Sequence, residues 1–162
     1  MVILGIDPGT TAIGYAVLDC TNRRKPVILE ARLLPIVSIA MEERLIAVHD
    51  EIKKIITLWH PHAVSVEKIF FAKNAKTAMA VSETRGVILL TVKLSGIKVY
   101  EYAPLTIKKV VTGDGSADKM QMQKMVNLIL HETTALIAQD DVFDAIASAL
   151  CCLYQEGKSI PA

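Results

Sequence analysis

Short apolar runs alternate with turn residues in the first forty or so positions, and helical periodicity takes over after them. Val2, Ile3, Leu4 and Ile6 form a run that ends on an acidic residue, Asp7, and Pro8-Gly9 breaks it. A second apolar segment covers residues 13–18. A third covers residues 27–36, after the basic turn Asn22-Arg23-Arg24-Lys25. Runs this short, rich in β-branched residues and bounded by turn formers, predict buried strands. Three in succession predict an antiparallel meander with Asp7 on its first member. From Glu42 the period changes. Leu45, Val48, Ile52, Ile55, Ile56 and Trp59 recur at helical spacing with charged residues between them, and this helix should stop before Pro61.

A short strand over residues 63–67 follows and again ends on a carboxylate, Glu67. Residues 75–95 read as a long helix with Gly96 at its C-terminus, and residues 97–102 as a further strand. Pro104 opens a short helix carrying Ile107, Lys108, Lys109 and Val110. Gly113-Asp-Gly-Ser116 is a turn, and Ser116 can cap a helix from about residue 117 to about 132. The last helix, from residue 140 to about 155, is apolar on nearly every face, as a helix sandwiched in a core would be. The order of elements predicts an α/β fold with a mixed central sheet and helices on both faces, in one domain spanning residues 1–162.

Composition narrows the classes. A chain of 162 residues that is 52% hydrophobic can bury a sizeable core. No apolar stretch reaches the roughly 18 residues of a membrane span, and the first residues lack the basic leader of a signal peptide. The three cysteines are an odd count, with Cys151 and Cys152 adjacent. They read as small apolar residues in a packed helix, not a disulfide framework, which fits a reducing cytoplasm. The formal net charge of +1 hides an uneven distribution: residues 1–67 carry −1, residues 68–124 carry +6 and residues 125–162 carry −4. A basic middle between acidic flanks is either a solvated face or a surface for a polyanion beside an acidic site.

The acids give the second alternative its chemistry. Asp7 alone is equally a turn residue or a metal ligand. Asp141 and Asp144 lie three apart, on one face of the last helix at its N-terminal turn. There the macrodipole favours carboxylates even as mere caps. If Asp7, Glu67, Asp141 and Asp144 converge, each close pair repels by on the order of 3 kcal/mol at about 5 Å and an effective dielectric of about 20. A stable fold has no need of that cost. Two divalent cations would offset it, and oxygen-only ligands suit Mg²⁺, with Mn²⁺ as substitute, better than zinc. Two such ions suit in-line displacement at a phosphodiester. His60-Pro-His62 has no surrounding ligand set and reads as surface or structural.

Five stretches then resemble successive motifs of one family: residues 5–15 (GIDPGTTAIGY), 66–74 (VEKIFFAKN), 85–87 (RGV), 113–119 (GDGSADK) and 141–147 (DVFDAIA). They are similar, in order over about residues 1–155, to those of the RuvC Holliday junction resolvases. The resemblance implies a ribonuclease H-like fold, a homodimer, and metal-dependent nicking of two opposing strands of a four-way DNA junction. It also implies RuvA and RuvB branch-migration proteins as partners. Carried over by position, its catalytic and metal-binding acids fall on Asp7, Glu67, Asp141 and Asp144. Its DNA contacts fall on Phe70 with Phe71 beside it, Lys73, Lys108, Ser116 and Lys119. Phe70 is the ring expected to face DNA, where stacking on an unpaired base is worth about 1–3 kcal/mol. The lysines would serve phosphates. Asp114 departs from the pattern by adding negative charge to the 113–119 loop, and Asp118 suits a helix cap. The helix from Ala75 would carry the dimer contacts, since Ala78, Met79, Val81, Val87, Ile88 and Leu90 exceed one buried face.

Three other readings compete. The Asp7-Pro-Gly-Thr-Thr11 turn also resembles the phosphate loop of sugar and acetate kinases, but those need two lobes and a second glycine-rich loop. A YqgF-like ribonuclease H-fold nuclease would share the acids but not the full 66–74 and 113–119 matches. A junction-binding protein that does not cleave would have no need of all four acids.

Overall fold

A computed structural model describes residues 1–9, 12–36, 40–68, 75–131 and 139–160. Its elements are strands β1 (Val2–Asp7), β2 (Gly14–Asp19) and β3 (Val27–Leu33), helix α1 (Met41–Trp59), strand β4 (Ala63–Glu67) and helix α2 (Ala75–Leu94). Strand β5 (Lys98–Tyr102) and helices α3 (Pro104–Thr112), α4 (Lys119–Leu130) and α5 (Asp140–Glu156) complete the order. The five strands form one mixed sheet in the order β3-β2-β1-β4-β5. β1 to β3 are the antiparallel meander, and β4 and β5 run parallel to β1.

Alternation along the strands divides the core in two. Leu4, Ile6, Tyr15, Val17, Val64 and Val66 face α1 and α2. Ile3, Ala16, Leu18 and Ala63 face α3, α4 and α5. The period of two therefore turns Asp7 and Glu67, in step with Ile3 and Ala63, toward the α5 side. The expected helices on both faces are borne out. So is the buried last helix: eleven residues of α5, from Val142 to Leu153, are buried. Cys20, Cys151 and Cys152 are free thiols inside this layer, and burial pushes each of them up to about 12.

Two glycines set how closely α5 approaches the sheet. A Cβ on Gly5 would stand 2.1 Å from the Ala145 carbonyl oxygen, and one on Gly14 would stand 1.9 Å from that of Asp141. Backbone therefore packs on backbone along β1 and β2. Ser65 Oγ donates to the Ser148 carbonyl at 2.9 Å, which fixes the same helix to β4. At the far end Arg23 donates to the Leu153 carbonyl at 3.2 Å, a cation where the helix dipole favours one.

Two local expectations are corrected. Ser116 does not cap α4. Asp118 does, accepting from the Gln121 N–H while Gln121 Oε1 accepts from the Asp118 N–H, both at 2.8 Å. A reciprocal capping box satisfies two helix-end donors where a serine would satisfy one. The third strand ends at Leu33, short of residue 36. His60 closes α1 in the left-handed region, and His62 Nδ1 accepts from the Val2 N–H at 3.0 Å, so both have structural roles. Among the described residues, no helix is long and apolar enough to cross a membrane.

Gly5→Ala is expected to lower stability by about 2–3 kcal/mol, because the added methyl meets a carbonyl that cannot move without shifting α5. Urea unfolding followed by circular dichroism measures it, and an unchanged midpoint would refute the close-packing account.

Candidate active site

Strand ends and one helix N-terminus assemble the acids. β1 and β4 are parallel neighbours, registered up to the pair Ile6 and Val66. Asp7 and Glu67 are the next residues on each strand, so they emerge side by side from adjacent strands about 5 Å apart. Asp7 is also registered with Gly14 on its other side. The Asp141 backbone packs on Gly14, and its Oδ1 lies 3.2 Å from where a Gly9 Cβ would be. One helical turn on, Asp144 reaches a cleft of about 270 Å³ that it shares with Glu67, Lys108, Lys119 and Asp140 over an apolar floor of Ile107, Met122 and Phe143.

These carboxylates feel one another. Burial pushes Asp7 up to about 8, with Glu67, Asp144 and Asp141 adding repulsion in that order. Burial and Asp144 raise Glu67 to about 7, against the opposing pull of Lys108. Asp144 has an exposed side chain, but the cleft walls displace water from it and raise its proton affinity. Asp140 raises it further and Lys119 opposes. Among the described residues, no three acidic, histidine or cysteine side chains close to the spacing of one coordination sphere. The four carboxylates repel one another, and Lys108 and Lys119 offset that only in part. Their chemistry still fits a hard divalent cation: every donor is a carboxylate oxygen, and three have proton affinities that a positive charge would lower.

The sequence-predicted DNA contacts divide three ways. Lys108 and Lys119 stand in the cleft with Glu67 and Asp144. Ser116 is exposed, and its hydroxyl donates to Asp114 Oδ1 at 2.7 Å, as does its N–H at 2.8 Å. Asp114 is thereby a turn-closing acid, held well below the usual carboxylate range by those bonds. Phe70, Phe71 and Lys73 lie outside the described residues. One cleft residue escaped the sequence reading: Asp140, which forms an ion pair with Lys119. The two are 21 positions apart on different helices, and no spacing rule pairs them.

A mixed 3-2-1-4-5 sheet with acids on β1, β4 and the N-terminal turn of a buried final helix is the frame of the ribonuclease H-like nucleases. Residues 3–152 match the family described as crossover junction endodeoxyribonuclease RuvC, and the chain belongs to that family. The protein of that name from Roseiflexus sp. (strain RS-1) is 41% identical over 151 residues, covering 93% of this chain and 89% of the relative. The one from Caldicellulosiruptor saccharolyticus is 40% identical, covering 96% and 98%. The solved structure of Thermus thermophilus RuvC in complex with Holliday junction substrate superposes with a TM-score of 0.89 at 29% identity, covering 100% of this chain and 99% of that one.

The raised acids give stability a definite sign with pH. The folded protein holds protons on Asp7 and Glu67 that the unfolded chain releases near pH 4, so metal-free stability falls as pH rises from about 4 toward 8. Asp7→Asn is expected to flatten that fall and to raise metal-free stability at pH 8 by on the order of 1–2 kcal/mol. Thermal melts in EDTA from pH 5 to 8.5 test this, and a wild-type midpoint that climbs with pH would contradict it.

Proposed function

We propose that this chain resolves four-way DNA junctions by nicking two opposing strands, with one active site per subunit of a homodimer. The observation that carries the reading is that the strand-end Asp7 feels Glu67, Asp144 and Asp141 as like charges, beside a cleft that also holds Lys108 and Lys119. The ion is Mg²⁺, with Mn²⁺ as substitute, and the four acids would hold two per site. When bound, the ions supply water activation and leaving-oxygen stabilisation for phosphodiester hydrolysis. Lys108 and Lys119 hold backbone phosphates at the cleft, giving affinity and position without reading sequence. Ser116 in its turn, together with Lys73, Phe70 and Phe71, extends the contact surface, with a phenyl ring stacking on a base exposed at the crossover. RuvA and RuvB are the partners that family resemblance supplies, and the compartment is the cytoplasm.

The dimer reading rests on symmetry and on α2. Nicking two related strands calls for two sites about a twofold axis. On α2, Ala78, Val81 and Ile88 are buried within the chain, while Met79, Leu90 and Leu94 leave 66%, 58% and 73% of their surface exposed along one stripe. Such a stripe suits an isologous interface. Leu90→Glu is expected to shift the protein to a monomer in sedimentation experiments, and an unchanged dimer would move the interface elsewhere.

Incubation with a mobile four-way junction in Mg²⁺ tests the activity itself. Paired, symmetric nicks are expected from the wild type, and a loss of about 10²-fold or more from Asp7→Asn. Cleavage of plain duplex at the same rate, or full activity in the variant, would overturn the assignment.

A further inference from the structure

The ion pair at the cleft mouth has a purpose that helix stability does not explain. Lys119 is the first residue of α4, directly after its Asp118 cap. A cation there faces the positive end of the helix dipole. Asp140 is the first residue of α5, where a carboxylate is favoured. The two N-termini converge on the cleft, and the pair spans them with 56% and 67% of the side chains exposed. Exposure makes the pair a weak stabiliser. It nonetheless restrains a long, rotamer-rich side chain at one place, beside Glu67 and Asp144. An ammonium has three donors. A carboxylate that takes one leaves the others for phosphate oxygens.

We propose that Asp140 is a positioning residue: by pairing with Lys119 it holds that ammonium over the cleft, oriented toward the phosphodiester that would be hydrolysed beside the acids. This rests on the junction-cleaving reading above and adds to it a fifth acid whose work is done through a lysine. The arrangement has opposite effects on binding and rate. The negative charge of Asp140 opposes the DNA backbone, while the restraint on Lys119 favours the reacting geometry.

Asp140→Asn should therefore bind the junction as tightly as the wild type or tighter in buffer without Mg²⁺. Its single-turnover cleavage rate at saturating junction and Mg²⁺ should fall by about three- to fivefold, the range of an exposed charge pair. Asp140→Glu should recover at least half of that loss. In the Lys119→Gln background the Asp140→Asn change should cost nothing further. A parallel loss of affinity and rate, or additive effects of the two substitutions, would overturn the proposal. The pairing itself has a readout independent of cleavage. Acylation of Lys119, followed by mass spectrometry, should rise in Asp140→Asn, and unchanged labelling would overturn it. Absence of junction cleavage by the wild type would instead overturn the functional reading, leaving the labelling result to decide the pair.

Discussion

The distance between α5 and the sheet governs everything else at this site. Gly5 and Gly14 carry no side chain where the Ala145 and Asp141 carbonyls press on the strands, so the helix lies on β1 and β2 at backbone contact. That contact sets Asp141 over the Asp7–Gly14 pair and brings Asp144 toward Glu67. A helix held off by even one methyl would move its first turn away from the strand ends. Burial along α5 from Val142 to Leu153 and the Ser65–Ser148 bond hold it in place. Arg23 at its C-terminus does the same by electrostatics. The scaffold is apolar and rigid so that its acidic end can be electrostatically costly.

That cost is local. Asp7 and Glu67 have raised proton affinities because water is excluded and like charges are near, and lysines at the edge compensate in part. Lys108 acts on Glu67, and Lys119 on Asp144. Both lysines reach the cleft from helices, α3 and α4, that begin beside it. An anion entering the cleft therefore meets cations and acids side by side. A cation held among the acids would lower the repulsion that a polyanion meets there.

Much of this was legible in the order of residues. The five strands, the two long helices and the acid-tipped ends of β1 and β4 follow from apolar runs and their period. Asp141 and Asp144 follow from helical spacing, and the motif matches identify the family. What was not legible depends on tertiary approach. Of the two cap candidates, Ser116 and Asp118, the structure uses Asp118, and its reciprocal partner Gln121 is what the sequence reading lacked. Gly5 and Gly14 carry no local signal of the close approach of α5. The Lys119–Asp140 pair joins two helices whose relative position no local pattern encodes.

Three of the four acids inside the basic middle segment have structural work, and this changes what its net charge means. Asp114 closes the 113–116 turn through Ser116, Asp118 caps α4, and Glu101 pairs with Arg85 between β5 and α2. None of the three is an exposed charge without a task. Lys119 is likewise shared with Asp140, from the acidic segment that follows. The count of +6 over residues 68–124 therefore overstates the field that an approaching backbone meets. In the cleft itself Lys108 and Lys119 stand among Glu67, Asp140 and Asp144, so the two signs are interleaved there. A protein that must find one geometry of DNA among much ordinary duplex is better served by charges paired in this way, because a diffuse positive surface binds any duplex it meets.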